Sequence, residues 1–189
     1  MATFGPTEPL PEVVSTGANY INGGRYICPE EGDVTKISIY CQGYTAPVNL
    51  IAKIYSDVDG GPDTLLAESL PVTIPTTWGW VDFPISLHVT ANTPYWLAAF
   101  SEKTWGFTNR LNQPKRGFYQ TDAWQTYPNN PGRITYPVFV DKERGMYATY
   151  TPQVEGLPPP RITGPFGLWT FPMLNLLAEF LNRLRGRKT

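Results

Sequence analysis

From residue 17 to about 152, apolar and polar residues alternate with a period of two, and clusters of turn-forming residues interrupt the alternation. That period sends successive side chains to opposite faces of a strand, one towards a core and one towards solvent. The stretch TKISIYC sets Ile37, Ile39 and Cys41 on one face and Lys36 and Ser38 on the other. NLIAKIY repeats the arrangement with Leu50, Ala52 and Ile54. WGWVDFPISL and TPYWLAAFS supply two more strands, and strand parity reads Trp80 and Trp96 as core residues. GFYQT (117–121), ITYPVFV (134–140) and MYATYTP (146–152) are weaker strand signals, and the turn cluster PEEGD at 29–33 precedes the first strand. Many short strands with little helix between them predict an all-β fold, an antiparallel sandwich or a barrel.

The pattern changes at both ends. Residues 1–16 carry Pro6, Pro9 and Pro11 and read as an extended arm lying on a surface or reaching towards a neighbour. Residues 153–167, QVEGLPPPRITGPFG, read as a semi-rigid proline-rich linker. Residues 168–189 then predict an amphipathic α-helix with a basic tail. Thr170 suits the N-cap and Pro172 the first turn. Met173, Leu177, Phe180 and Leu184 form an apolar stripe that Leu174, Leu176 and Leu181 widen, while Arg183, Arg185, Arg187 and Lys188 suit the negative end of the helix dipole. The apolar run is too short and too interrupted to span a bilayer. Its face therefore buries against a partner subunit, its own sandwich, or a membrane surface with the basic end at the headgroups. The proline-rich tether favours a partner, with Trp169, Met173, Leu177, Phe180, Leu181 and Leu184 as the assembly interface.

Composition narrows the function classes. A length of 189 residues suffices for one sizeable core plus appendages. Charged residues are only 16%, against roughly 25% in an average soluble domain, which fits a β-rich chain of Thr, Tyr and Pro. The net charge of −1 and the confinement of basic residues to RLRGRKT argue against a nucleic-acid partner. MATFGPTEPLPEVV lacks both a charged leader and an apolar run, so it is not read as a signal peptide. A virion component freed by lysis, or a surface or extracellular protein whose signal has been removed, both fit. Cys28 and Cys41 are either a disulfide or two small buried apolar residues.

The chemistry-bearing candidates are few. DVDGGPD places Asp57, Asp59 and Asp63 close together, and calcium is the one cofactor the sequence raises. A calcium loop of the helical-hand type needs a ligand at position 5 and glycine at position 6; this stretch has Gly61 and Pro62 there, after a strand. The competing reading is a strand-to-strand turn bent by Gly60, Gly61 and Pro62. Trp105, Tyr119, Trp124 and Tyr127, with Asn130, mark a stretch rich in aromatic and amide side chains that suits stacking on sugar rings, and Trp78 and Trp80 add to the aromatic set. No nucleophile elbow, zinc-protease pair or phosphate loop occurs, and His88 is the sole histidine, so no catalytic residue is assigned.

Three stretches, GRYICPEEGDVTKISIYC, AKIYSDVDGGPDTLLAES and WGWVDFPISLHVTANTPYWLAAF, resemble a jelly-roll-like β-sandwich domain of bacterial surface and secreted multidomain proteins. The resemblance covers roughly residues 19–100 and extends in outline to about 150. It implies an accessory role in binding, adhesion or display, with no catalytic residues. The sequence expectation is thus a non-enzymatic structural or assembly protein, a virion component or surface-filament subunit, with a homo-oligomer or other subunits as partners. The alternative is a carbohydrate-binding or adhesion module using the Trp105–Asn130 surface.

Overall fold

The computed structural model of the chain describes residues 1–114, 116–121, 134 and 137–153. The first half of the chain forms β1 (Ala2–Phe4), β2 (Glu12–Thr16), β3 (Tyr20–Cys28), β4 (Gly32–Gly43), β5 (Val48–Val58), β6 (Gly61–Glu68) and β7 (Val72–Ile74). The second half adds β8 (Gly79–Val89), β9 (Thr93–Ser101), β10 (Trp105–Leu111), β11 (Gly117–Thr121), β12 (Val138–Val140), β13 (Lys142–Arg144) and β14 (Met146–Pro152). Among the described residues these strands make two antiparallel sheets. Sheet A runs β1-β14-β4-β10-β13, with β2 on β10 and β8 on β4; sheet B runs β12-β11-β3-β9-β5-β6, with β7 on β5. The fold is all-β and sandwich-like, as the alternation predicts.

The core between the sheets is built by the faces read from the sequence. Ile37, Ile39 and Cys41 from β4 meet Leu50, Ala52 and Ile54 from β5, with Phe83, Leu97, Phe107 and Met146 completing the cluster. Burial of such surface is the main favourable term in folding. The β5–β6 connection follows from two residues. Asp59 (φ 52°) and Gly60 (φ 79°) lie between Val58 and Gly61, which pair with each other. Positive φ at both central positions is the geometry that Asp-Gly supplies in a tight hairpin.

Four expectations change. The segment 1–16 is extended, but it is part of the sandwich: β1 pairs with β14 and β2 with β10. Phe4 is buried with its ring 6.3 Å from Tyr95 and 5.9 Å from Tyr150, and Leu10 N–H donates to Thr108 Oγ1 at 3.3 Å. Trp96 is buried, but in a second cluster on the outer face of sheet B, with Ile21, Ile51, Tyr55, Phe100 and Phe118. Trp80 is not a core residue. On β8 it is Phe83, Ile85 and Val89 that point inward, which leaves Trp80 half-buried on the outside. Ser38, read as a solvent-facing residue, is buried beside Asp82, to which its hydroxyl donates at 2.6 Å.

Cys28 and Cys41 are free buried thiols, and burial pushes Cys41 up to about 12. The linker at 153–167, but for residue 153, and the helix at 168–189 lie outside the described residues. Because 1–16 is part of the sandwich, truncating its one buried ring destabilises the whole domain. Phe4→Ala is expected to lower the unfolding free energy by about 3–5 kcal/mol in urea titration. An arm merely resting on the surface predicts almost no change.

Candidate functional site

The acidic loop is the first site to place. Asp57 ends the outer row of β5, where its Oδ2 receives Arg25 Nε at 2.5 Å and Trp96 Nε1 at 2.8 Å. Its Oδ1 receives Arg25 Nη2 and caps the turn through Gly60 N–H at 3.2 Å. Asp59 occupies the turn itself, and Asp63 Oδ2 receives the Thr64 hydroxyl at 2.8 Å. The Asp57 carboxylate is thus committed to a guanidinium, an indole and a turn. No group of three or more His, Cys, Asp or Glu side chains placed to hold a metal ion occurs among the described residues.

The aromatic set divides. Trp105 is fully buried in β10 with Phe107 at 5.1 Å, so the reading of it as a surface sugar platform does not hold. The sequence placed it beside a loop, whereas it starts a strand whose odd-numbered positions face the core. Tyr119 is half-buried on β11, its ring 6.0 Å from Tyr20. Trp124, Tyr127 and Asn130 lie outside the described residues, as do Trp169, Met173, Leu177, Phe180, Leu181 and Leu184.

A different aromatic surface exists on the outer face of sheet A. Tyr40 on β4 stacks on Trp78 (5.7 Å, 12° between planes) and meets the edge of Trp80 at 5.5 Å. Trp80 in turn meets Tyr147 on β14 at 4.9 Å. Trp78 lies over Gly106 on β10. A Cβ there would come within 3.0 Å of the indole and 3.1 Å of the Tyr44 hydroxyl, so the glycine makes room for both rings. Tyr147, Trp80, Tyr40, Trp78 and Tyr44 therefore form a belt across three neighbouring strands and the loop after β4. Each ring is partly exposed. Beside the belt Asp82 bridges Lys36 Nζ and Ser38 Oγ, both at 2.6 Å. The signal was present in WGW: residues two apart on a strand share a face.

Two cavities differ in how their charges are matched. An open groove of about 810 Å³ is lined by Arg25, Tyr26, Arg110, Arg116, Phe139 and Glu143, among others. Its guanidiniums have carboxylate partners: Arg25 pairs with Asp57, and Arg110 and Arg116 share Glu143 at 3.4 Å each. The second cavity, about 240 Å³, opens between the sheets where β2, β10 and β13 face β3, β11 and β12. Arg144 lines it and is 3% exposed. Among the described residues no carboxylate lies within ion-pair distance of Arg144, and its Nε has no hydrogen-bond partner. Its guanidinium rests 4.7 Å from the Phe107 ring centroid, and burial pulls its pKa down to about 10.

No family model matches the chain, and neither a curated protein nor a solved structure matches it.

His88 sits away from these surfaces, on β8, with Asp33 Oδ1 2.9 Å from Nδ1 and Glu31 Oε1 3.2 Å from Nε2. The Asp33 bond, reinforced by Glu31, holds the imidazole above its usual range. The raised folded-state pKa means that protonated His88 favours the fold below the unfolded value of about 6.5. That contribution disappears as pH rises through the folded value. An NMR titration is expected to place His88 above 6.5, and Asp33→Asn to bring it back towards that value. An unshifted wild-type titration contradicts the pairing.

Proposed function

We propose that this chain is a non-enzymatic binding module that takes carbohydrate on the outer aromatic belt of sheet A. The belt itself carries the reading: five partly exposed rings lie side by side on one sheet face. Exposed apolar patches of this kind mark interaction surfaces in soluble proteins. A sugar ring suits it because its C–H face stacks on an aromatic face while its hydroxyls need polar partners. Lys36 and Asp82 stand partly exposed on the same face and supply a donor and an acceptor. A jelly-roll-like fold and an accessory role like those of bacterial surface and secreted domains belong to the same reading. Relative to the carbohydrate alternative read from the sequence, the sugar surface moves from Trp105–Asn130 to the belt.

Affinity electrophoresis against a panel of soluble polysaccharides, followed by calorimetry on any hit, tests it. Trp80→Ala is expected to weaken binding by at least about tenfold, the loss typical of a central aromatic anchor. Trp124→Ala, at the aromatic position of the sequence alternative, is expected to leave binding intact. A panel without hits, or a hit indifferent to Trp80→Ala, removes the proposal.

The amphipathic pattern of residues 168–189 favours a second reading, an assembly component such as a virion or surface-filament subunit. Here Trp169, Met173, Leu177, Phe180, Leu181 and Leu184 bury against another subunit. Light scattering on a chain ending at residue 164 is expected to show loss of oligomers present in the full chain. Unchanged mass rejects this reading without touching the carbohydrate one.

A further inference from the structure

We propose that the cavity between the sheets is a receptor for a carboxylate carried on a small ring compound, with Arg144 as its anchor. The proposal stands independently of the belt, on the opposite side of sheet A. Its first observation is electrostatic. A buried guanidinium normally has a carboxylate partner, because removing the charge from water is unfavourable without one. Arg144 has none among the described residues, although a carboxylate is adjacent in sequence: Glu143 is engaged instead by Arg110 and Arg116. Phe107 covers the guanidinium face at 4.7 Å, which leaves the in-plane N–H groups to find an acceptor.

The second observation is the lining. Lys142 joins Arg144 on the wall, and among the described residues no aspartate or glutamate lines the cavity. The other walls are Tyr20, Tyr119 and Phe107 for a ring, and Thr16 and Asn22 for hydroxyls. Asn22 Nδ2 donates to Thr16 Oγ1 at 2.8 Å, so these two polar groups are held in place across the sheets. Register adds a third. Arg144 pairs across the ladder with Asn109, which is fully buried and whose Oδ1 and Nδ2 both lack partners. Unsatisfied buried groups concentrated at one place mark a site completed by something else. Among planar anions a carboxylate matches the arginine fork with two parallel hydrogen bonds. A volume of about 240 Å³ admits one small ring and excludes a polymer chain.

The experiment uses the full chain and three probes: glucuronate, benzoate and neutral glucose. Glucuronate or benzoate is expected to raise Tm in a dose-dependent way while glucose does not, and which acid acts separates a sugar acid from an aromatic acid. Calorimetry on the effective acid is expected to show at least about tenfold weaker binding to Arg144→Lys, which keeps the charge and loses the fork. Arg144→Met is expected to abolish it. In wild type, the Arg144 Nε–H NMR signal is expected to shift on titration, a readout that survives if the variants do not fold. Failure of both acids to raise Tm overturns the proposal. So does a rise in Tm with an unmoved Arg144 signal, or undiminished binding to a folded Arg144→Met.

Discussion

The Tyr26 hydroxyl, on sheet B, is held by the backbone of Arg144, on sheet A. It donates to the Arg144 carbonyl and accepts from the Arg144 N–H at 3.1 Å. Burial pushes the phenol far above its ordinary range, so it stays neutral and keeps both capacities. A sandwich otherwise held by non-directional apolar contacts gains here a fixed point of register between its layers. That point also sets where β13 runs, and so where the Arg144 side chain lies. Asn22 and Thr16 repeat the device a few residues away. Between the two bridges the sheets stand apart enough to leave a cavity and close enough to strip the guanidinium of water.

The two outer faces are treated differently. Sheet B carries a second apolar layer around Trp96 and Phe118, and even Lys53 is buried there beside Phe100 and Glu68. Sheet A instead presents rings that support one another by stacking and edge contacts, arrangements worth something beyond the area they bury. One sheet is therefore a structural wall and the other a surface.

How much of this was legible depends on the residue. Ile37, Ile39, Leu50 and Ile54 declare the core because a strand buried on one face must alternate. β5 shows the limit: Leu50, Ala52 and Ile54 face the core as the alternation indicates, but Ile51 and Tyr55 pack on the opposite face, which a strand with two buried faces does not reveal by period. The parity that turns Trp80 inward is one residue out: Phe83, Ile85 and Val89 set the inward row of β8, and Trp80 falls on the other face. Segment 1–16 escaped notice as strand because β1 spans three residues and its partner lies more than a hundred positions away. Arg144 carried no local signal at all. KERG reads as a charged turn, and only the ladder with Asn109 turns that arginine inward.

One feature of β8 constrains any larger structure this chain enters. Among the described residues β8 pairs with β4 alone, so its far side is an edge of sheet A. Pro84 sits within that edge and brings no N–H, and the register shift opposite it, between Val34 and Lys36, twists the local ladder. A strand from another copy laid along β8 would meet a missing donor in a bent frame. Copies of this domain are thereby steered away from joining edge to edge along β8.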